Sequence, residues 1–319
     1  MTTKTIRPPD RLAVAALITA SGYAAVRACW QIAGTPDDLS SAGPDLVMFD
    51  GWWGVALCLA AAALAAAMLR PRSASSVPAL MIAGTLISLA LVGAAAMIVL
   101  DAIGGLFPGL GVELFPLGAA SRTTCISAGL LLALATRSMH RRSGVELPGG
   151  DRARALTARL ERTPWWAYWA AYVSMTGCLT RVAAQTVVGV DESPLSSGPV
   201  GVMFELCFVL AGTLLPLALV HRWGRIWPRW VVGFAGRRVP RWLVLGPAIG
   251  VAAAIVVYFG VLLGQMVAER LQGRNPFPPD ARMDLPEAFF WVAVPAYVVW
   301  GAALSVAALA YHRTTRKTA

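Results

Sequence analysis

Eight separate stretches of this chain are apolar for long enough to cross a lipid bilayer. They run over 12–34, 46–69, 78–101, 119–137, 165–189, 200–221, 243–267 and 287–311. About 20 helical residues span the hydrocarbon layer, so runs of this length read as membrane helices. Backbone N–H and C=O groups in lipid must be satisfied within their own segment, which makes each run helical. Charged residues are 14% of the chain and hydrophobic residues 57%, whereas soluble domains are roughly a quarter charged. So few charges cannot clothe a water-facing surface. The expected fold is all-α, a polytopic membrane protein with eight transmembrane helices.

The formal net charge is +10, which raises the question of a nucleic-acid partner. The placement of the charges answers it. With a cytoplasmic N-terminus, 21 of the 27 Lys and Arg residues fall on the inner side. They include Lys4, Arg7 and Arg11, then Arg70 and Arg72, then clusters over 137–162, 222–241 and 313–317. Outer loops keep only Arg270, Arg274 and Arg282. That is the positive-inside pattern at every loop. The basic character therefore reports orientation and contact with anionic membrane lipids, not nucleic acid. The expected location is the inner (plasma) membrane, with both termini cytoplasmic. The first span follows basic residues as a signal peptide would, but it is longer than a usual apolar signal core.

One phrase is written twice. "LSSAGPDLVMFD" at 39–50 returns as "LSSGPVGVMFE" at 195–205. Extended backwards, Arg27 matches Arg181 and Gln31 matches Gln185. Asp37–Asp38 match Asp191–Glu192, and Asp50 matches Glu205. Spans 1–4 and 5–8 therefore read as two copies of one unit. Four is an even number, so both copies enter from the same side, a parallel repeat with a pseudo-twofold axis along the membrane normal. The expected domains are a first four-helix repeat over 1–137, a basic cytoplasmic linker over 138–164, and a second repeat over 165–319. The copies have diverged: Pro216, Pro247 and Pro295 fall inside spans of the second half. Proline removes a helix hydrogen bond and favours a kink, which makes the second half the candidate moving half.

The polar residues inside spans are the candidate site. Arg27 stands 16 residues beyond Arg11, about 24 Å up a helix. Arg181 stands 19 residues beyond Arg162. Gln31 and Gln185 follow on the same helical faces. Counted from Arg70 and Arg222, Asp50 and Glu205 reach a similar outer height. A charge in hydrocarbon costs at least about 2.5–3.5 kcal/mol on insertion scales, and an opposite charge offsets part of that. The expected pairs are Arg27 with Asp50 and Arg181 with Glu205, or the same groups exchanged across the axis. Arg122, at the outer start of span 4, has no counterpart in the second copy.

Absences narrow the chemistry. His140, His221 and His312 lie at cytoplasmic ends, so no span offers an axial histidine for haem. There is no H-E-x-x-H and no phosphate-binding glycine loop. The five cysteines form no C-x-x-C and read as packing residues. The acidic pairs Asp37–Asp38 and Asp191–Glu192 read as solvated outer-loop acids before a cation site. No cofactor and no metal are expected.

"GYAAVRACWQIAGT" at 22–35 resembles the first-span signature of an uncharacterised actinobacterial multi-pass membrane family. That signature has Tyr-Ala, Arg beside an aromatic residue, and Trp-x-x-Gly-Gly. Here the paired glycines are Ala33–Gly34 and, in the second copy, Val188–Gly189, where Ala184 replaces the tryptophan. The resemblance implies a four-helix unit and assigns no activity. Alanine- and arginine-rich, lysine-poor usage fits such a source.

Three functional readings follow. In the first, Arg27, Arg181, Arg122, Gln31 and Gln185 line an outer-half cavity of a carrier or binder. Its ligand would be a small polar, anionic or lipid-headgroup molecule. In the second, Asp50 or Glu205, protonated by burial, donates a proton in a membrane-embedded enzyme of the terpenoid-cyclase kind. In the third, both pairs are clasps that fix helix register.

Overall fold

A computed structural model describes residues 10–36, 39–40, 45–70, 76–143, 162–189, 198–227, 236–276 and 285–315. Asp37–Asp38, Asp191–Glu192 and most of the expected linker lie outside the described residues. Nine α-helices are present among them: α1 (Arg11–Ala33), α2 (Trp52–Leu69), α3 (Val77–Ala94), α4 (Ile98–Leu106), α5 (Pro116–Ser143), α6 (Trp165–Val188), α7 (Gly198–Val220), α8 (Arg241–Leu271) and α9 (Glu287–Thr315).

Seven of these helices are long and apolar enough to cross a membrane: α1, α2, α3, α5, α7, α8 and α9. The expected eighth, α6, forms over 24 residues but is not among them. Its last turns carry Arg181, Gln185 and Thr186, which dilute its apolar character. Of the eight expected spans, seven therefore qualify on length and hydropathy.

Two expected spans also change shape. The run 78–101 is not one helix. It ends at Ala94, turns through 95–97 and restarts as the nine-residue α4. The Ala94 carbonyl, an orphan of the helix end, accepts the N–H of Val47 at 2.8 Å. The run 46–69 becomes helical only at Trp52. Met48 there has φ of 65°, a left-handed conformation uncommon outside glycine. The matching "VMFE" at 202–205 lies inside α7. The same four-residue phrase is therefore a loop in one place and helix in the other.

The chain divides into two compact units, one of Met1–Leu106 with Val112–Gly150, the other of Phe107–Gly111 with Asp151–Ala319. In the first, α1 packs on α2 and α5, α3 packs on α5 and α2, and α2 touches α5. In the second, α6 packs on α7 and α9, α8 packs on α9 and α7, and α7 touches α9. Replacing α1, α2, α3 and α5 by α6, α7, α8 and α9 converts one set of pairings into the other.

Small residues set the helix spacing. On α1 the buried face is Ala13, Ala16, Ala20, Tyr23, Ala24 and Arg27, a helical period of three and four. It meets Ala61, Ala62 and Ala65 of α2 and Ala128 of α5 in one apolar cluster. On α6 the buried face is Ala167, Ala171, Ser174, Gly177, Cys178, Arg181 and Gln185. A Cβ on Gly177 would stand 2.7 Å from the Ala296 carbonyl, so α6 and α9 approach there at backbone distance. Such stripes suit helices that pack in lipid without a hydrophobic drive. Large side chains turn outward instead, among them Ile18, Leu86, Leu89 and Val187.

Asp10 ties the inner end of the first unit. It caps α1 through the Leu12 N–H, accepts from Ser138 at 2.6 Å, and faces Arg142 at 3.5 Å. In the second unit the connection after α7 includes a short 3-10 turn, Arg222–Gly224, and an antiparallel bridge between Ile226 and Arg238.

Candidate functional site

Each unit buries an arginine from its first helix against a carboxylate, but the two partners come from different places. Arg27 donates to Asp45 at 2.6 Å. Asp45 belongs to the loop between α1 and α2, not to a span. The expected partner Asp50 is exposed and accepts the N–H of Gly51. The Arg27–Asp50 pairing is therefore corrected to Arg27–Asp45. The reason lies in the loop. Leu46 and Val47 are buried and Val47 is bonded to the end of α3, so the segment folds down into the helix ends. That carries Asp45 inward and leaves Asp50 outside.

Arg122 completes this cluster. Its Nη1 donates to Asp101 of α4 at 2.6 Å, its Nη2 to the Leu39 carbonyl at 2.9 Å, and its Nε to the Asp45 carbonyl at 3.2 Å. The Asp45 carboxylate is 3.5 Å from the same Nε. Ser121 donates to Asp45 at 2.6 Å and shares a hydrogen bond with the Tyr23 hydroxyl at 2.8 Å. Arg27 and Arg122 are each 2% exposed, Asp45 and Asp101 each 6%. Two cations and two anions sum to zero. Burial raises the Asp45 carboxyl above its ordinary range, against the Ser121 hydrogen bond and the two guanidiniums. Arg122 is thus not a free cation awaiting a ligand. Gln31 is half-buried with its amide oxygen near Gly51, outside the charge cluster.

The second unit is simpler. Arg181 of α6 donates to Glu205 of α7 at 2.6 Å, as the matched phrases led one to expect. The Glu205 side chain is 14% exposed and that of Arg181 7%. Gln185 spends an amide N–H on the Gly189 carbonyl at 3.1 Å and so caps α6. Val200 stands where the first copy has Asp45, and this unit's α9 has no cation at the height of Arg122.

Aromatic rings enclose the pair instead. The Arg181 guanidinium lies 4.8 Å over the Phe208 ring. Phe208 meets Trp300 edge-on at 4.9 Å and Tyr297 at 5.8 Å. Phe259 of α8 stacks on Tyr297 at 3.7 Å. A cation over an aromatic face gains roughly 0.5–2 kcal/mol, more as water is excluded. Four buried polar atoms around this pair have no hydrogen-bond partner: Arg181 Nε, Glu205 Oε2, Ser174 Oγ and Trp300 Nε1; two more in the same unit, Arg225 Nε and Arg241 Nε, lie near its basic end. Trp300 packs on Gly177, one helical turn from both Ser174 and Arg181. In the first unit the matching leftovers are Arg27 Nε and Asp45 Oδ1.

Reading residues by span alone passed over Asp45, Asp101, Ser121 and the aromatic set. A signal for two of them exists. Asp45 is the one acid inside the repeated phrase that the second copy lacks, and Asp101 is the one acid in the third apolar run.

The fold and its buried charges define an all-helical, multi-pass membrane protein. Comparison with protein-family models, curated proteins and solved structures finds no match.

Proposed function

We propose that this protein is a membrane-embedded binder or carrier whose ligand site lies in the second unit, at the Arg181–Glu205 pair. The observation that carries this reading is the set of unpartnered buried atoms there. Leaving such a group unsatisfied costs about 1–3 kcal/mol each, and native structures leave few so. Arg181 Nε and Trp300 Nε1 call for acceptors, Glu205 Oε2 calls for a donor, and Ser174 takes either. The ion pair is already neutral, so the fitting ligand is neutral or zwitterionic. It carries both donors and acceptors, with an apolar or planar body against Phe208, Tyr297 and Trp300. That narrows the anionic or headgroup ligand expected from charge alone.

The first unit fits the clasp reading. Its quartet is balanced, buried and laced to the loop backbone. The proton-donor reading has less support: Asp50 is exposed, and Glu205 accepts from a guanidinium.

The architecture we infer is two parallel four-helix copies crossing eight times, with α6 as the fifth crossing and both termini cytoplasmic in the inner membrane. The matching helix pairings of the two units support it.

Mass spectrometry of protein released from native membranes tests the ligand. Wild type should carry a small non-lipid molecule that Trp300→Phe and Ser174→Ala, both folded, retain poorly. Folded wild type carrying nothing, or variants retaining as much, would overturn the site.

A further inference from the structure

A groove on the first unit runs between α3 and α5, with a volume of about 510 Å³. Its walls include Leu89, Val92, Leu130 and Ala133, and its far end is closed by Arg137 and His140. Three hydroxyls also line it, but none is available. Thr85 donates to the Met81 carbonyl, Ser88 to Gly84, and Thr136 to Leu132. Each is tied to its own helix four residues back, so the trough behaves as apolar along its length.

The end of the trough is different. Arg137 is exposed with no ion-pair partner among the described residues, and His140 Nδ1 is buried without a hydrogen bond. Arg137 also borders a second cavity of about 400 Å³ shared with Arg141 and Arg142. Among the described residues, Arg142 alone of these has a carboxylate within reach, Asp10 at 3.5 Å. The trough from Gly129 to His140 covers 12 residues of α5, 11 helical rises or about 16 Å. That is one leaflet, half of the roughly 30 Å hydrocarbon.

We propose that this groove is a binding site for an anionic phospholipid of the inner leaflet. One acyl chain lies along α3 and α5 beside Leu89 and Ala133, and the phosphate sits at Arg137, His140 and Arg141. Apolar length and positive charge at one end match that molecule. The inference rests on the membrane reading with a cytoplasmic N-terminus, not on a ligand at Arg181.

The test uses the full-length protein, delipidated in neutral detergent and titrated with phosphatidylglycerol or phosphatidylcholine under native mass spectrometry. Wild type should bind one phosphatidylglycerol in strong preference. Each of Arg137→Ala and Arg141→Ala should weaken it about fivefold, the worth of one cation near an anionic surface. Ala133→Phe, which fills the trough and keeps the charges, should abolish the site for both lipids. Removing two charges elsewhere, by Arg237→Ala with Arg238→Ala, should change nothing. Inorganic phosphate in excess should not compete. Equal binding of the two lipids by wild type would overturn the proposal without any variant. So would an equal loss in the Arg237/Arg238 control, or displacement by phosphate. Loss of lipid with retention of a small molecule at Trp300, or the reverse, separates this site from the one in the second unit.

Discussion

Arg27 reaches Asp45, 18 residues along the chain, at 2.6 Å, while Asp50 at the end of the repeated phrase stays in the open. The pair couples α1 to a loop rather than to its neighbouring helix. Through Ser121 and Arg122 it also couples that loop to α5, and through Asp101 to α4. One buried carboxylate thus holds four segments.

Removing it should be costly. Asp45→Asn leaves the buried Arg27 guanidinium without a carboxylate while Arg122 keeps Asp101, and losing one partner of a buried pair costs about 3–5 kcal/mol. Asp50→Asn, at an exposed site, should stay within about 0.5 kcal/mol. Unfolding midpoints in detergent compare the two. A larger loss at Asp50 would reinstate the span-to-span pairing.

Arg122→Lys should release the loop while keeping the charge. A lysine offers one point charge where Arg122 uses a fork against Asp101, Leu39 and Asp45. Faster proteolysis within 36–51, at an unchanged helix content by circular dichroism, is the expected outcome.

Gly118→Ala probes the same seam sterically. A Cβ there would sit 1.9 Å from the Leu39 carbonyl, and forced overpacking typically costs about 1–3 kcal/mol. Gly22 has open space around its position, so Gly22→Ala should be neutral or stabilising. A thermal scan of both variants checks the contrast. Equal midpoints would mean that the loop does not rest on Gly118.

The Arg181–Glu205 pair should tolerate joint replacement in stability but not in binding. Arg181→Met with Glu205→Leu removes both charges, which is often neutral for a buried pair, whereas Arg181→Met alone strands a carboxylate. The double variant should fold as well as wild type and lose the co-purifying small molecule. A double variant that still retains it would place the ligand elsewhere.

Helix α6 decides the topology. In a cysteine-free background, Ser143→Cys and Thr314→Cys should label from the same side if α6 crosses, and from opposite sides if it does not. Membrane-impermeant thiol reagents applied to intact and opened cells read this directly.

The helices were legible because hydropathy and helical period are local properties. Every apolar run contains a helix, and the small-residue faces of α1 and α6 follow from spacing. The twice-written phrase was legible as matched polar residues, and the Arg181–Glu205 contact lies between two of them. Helix ends were less so. The run 78–101 breaks at Ala94 because its carbonyl is taken by Val47, a residue 47 positions earlier in the chain.

The amino-acid sequence by itself determined an all-helical chain built for lipid, and which ionisable groups that lipid would force inward. Only the tertiary structure decided which charges meet. A buried guanidinium takes whichever carboxylate the packed backbone delivers within hydrogen-bond reach, and delivery depends on loop conformation, such as the left-handed Met48, that no local pattern encodes. That is why two nearly identical phrases end in different roles: one as a loop that carries a carboxylate into a neutral quartet, the other as a helix whose ion pair is enclosed by aromatic rings.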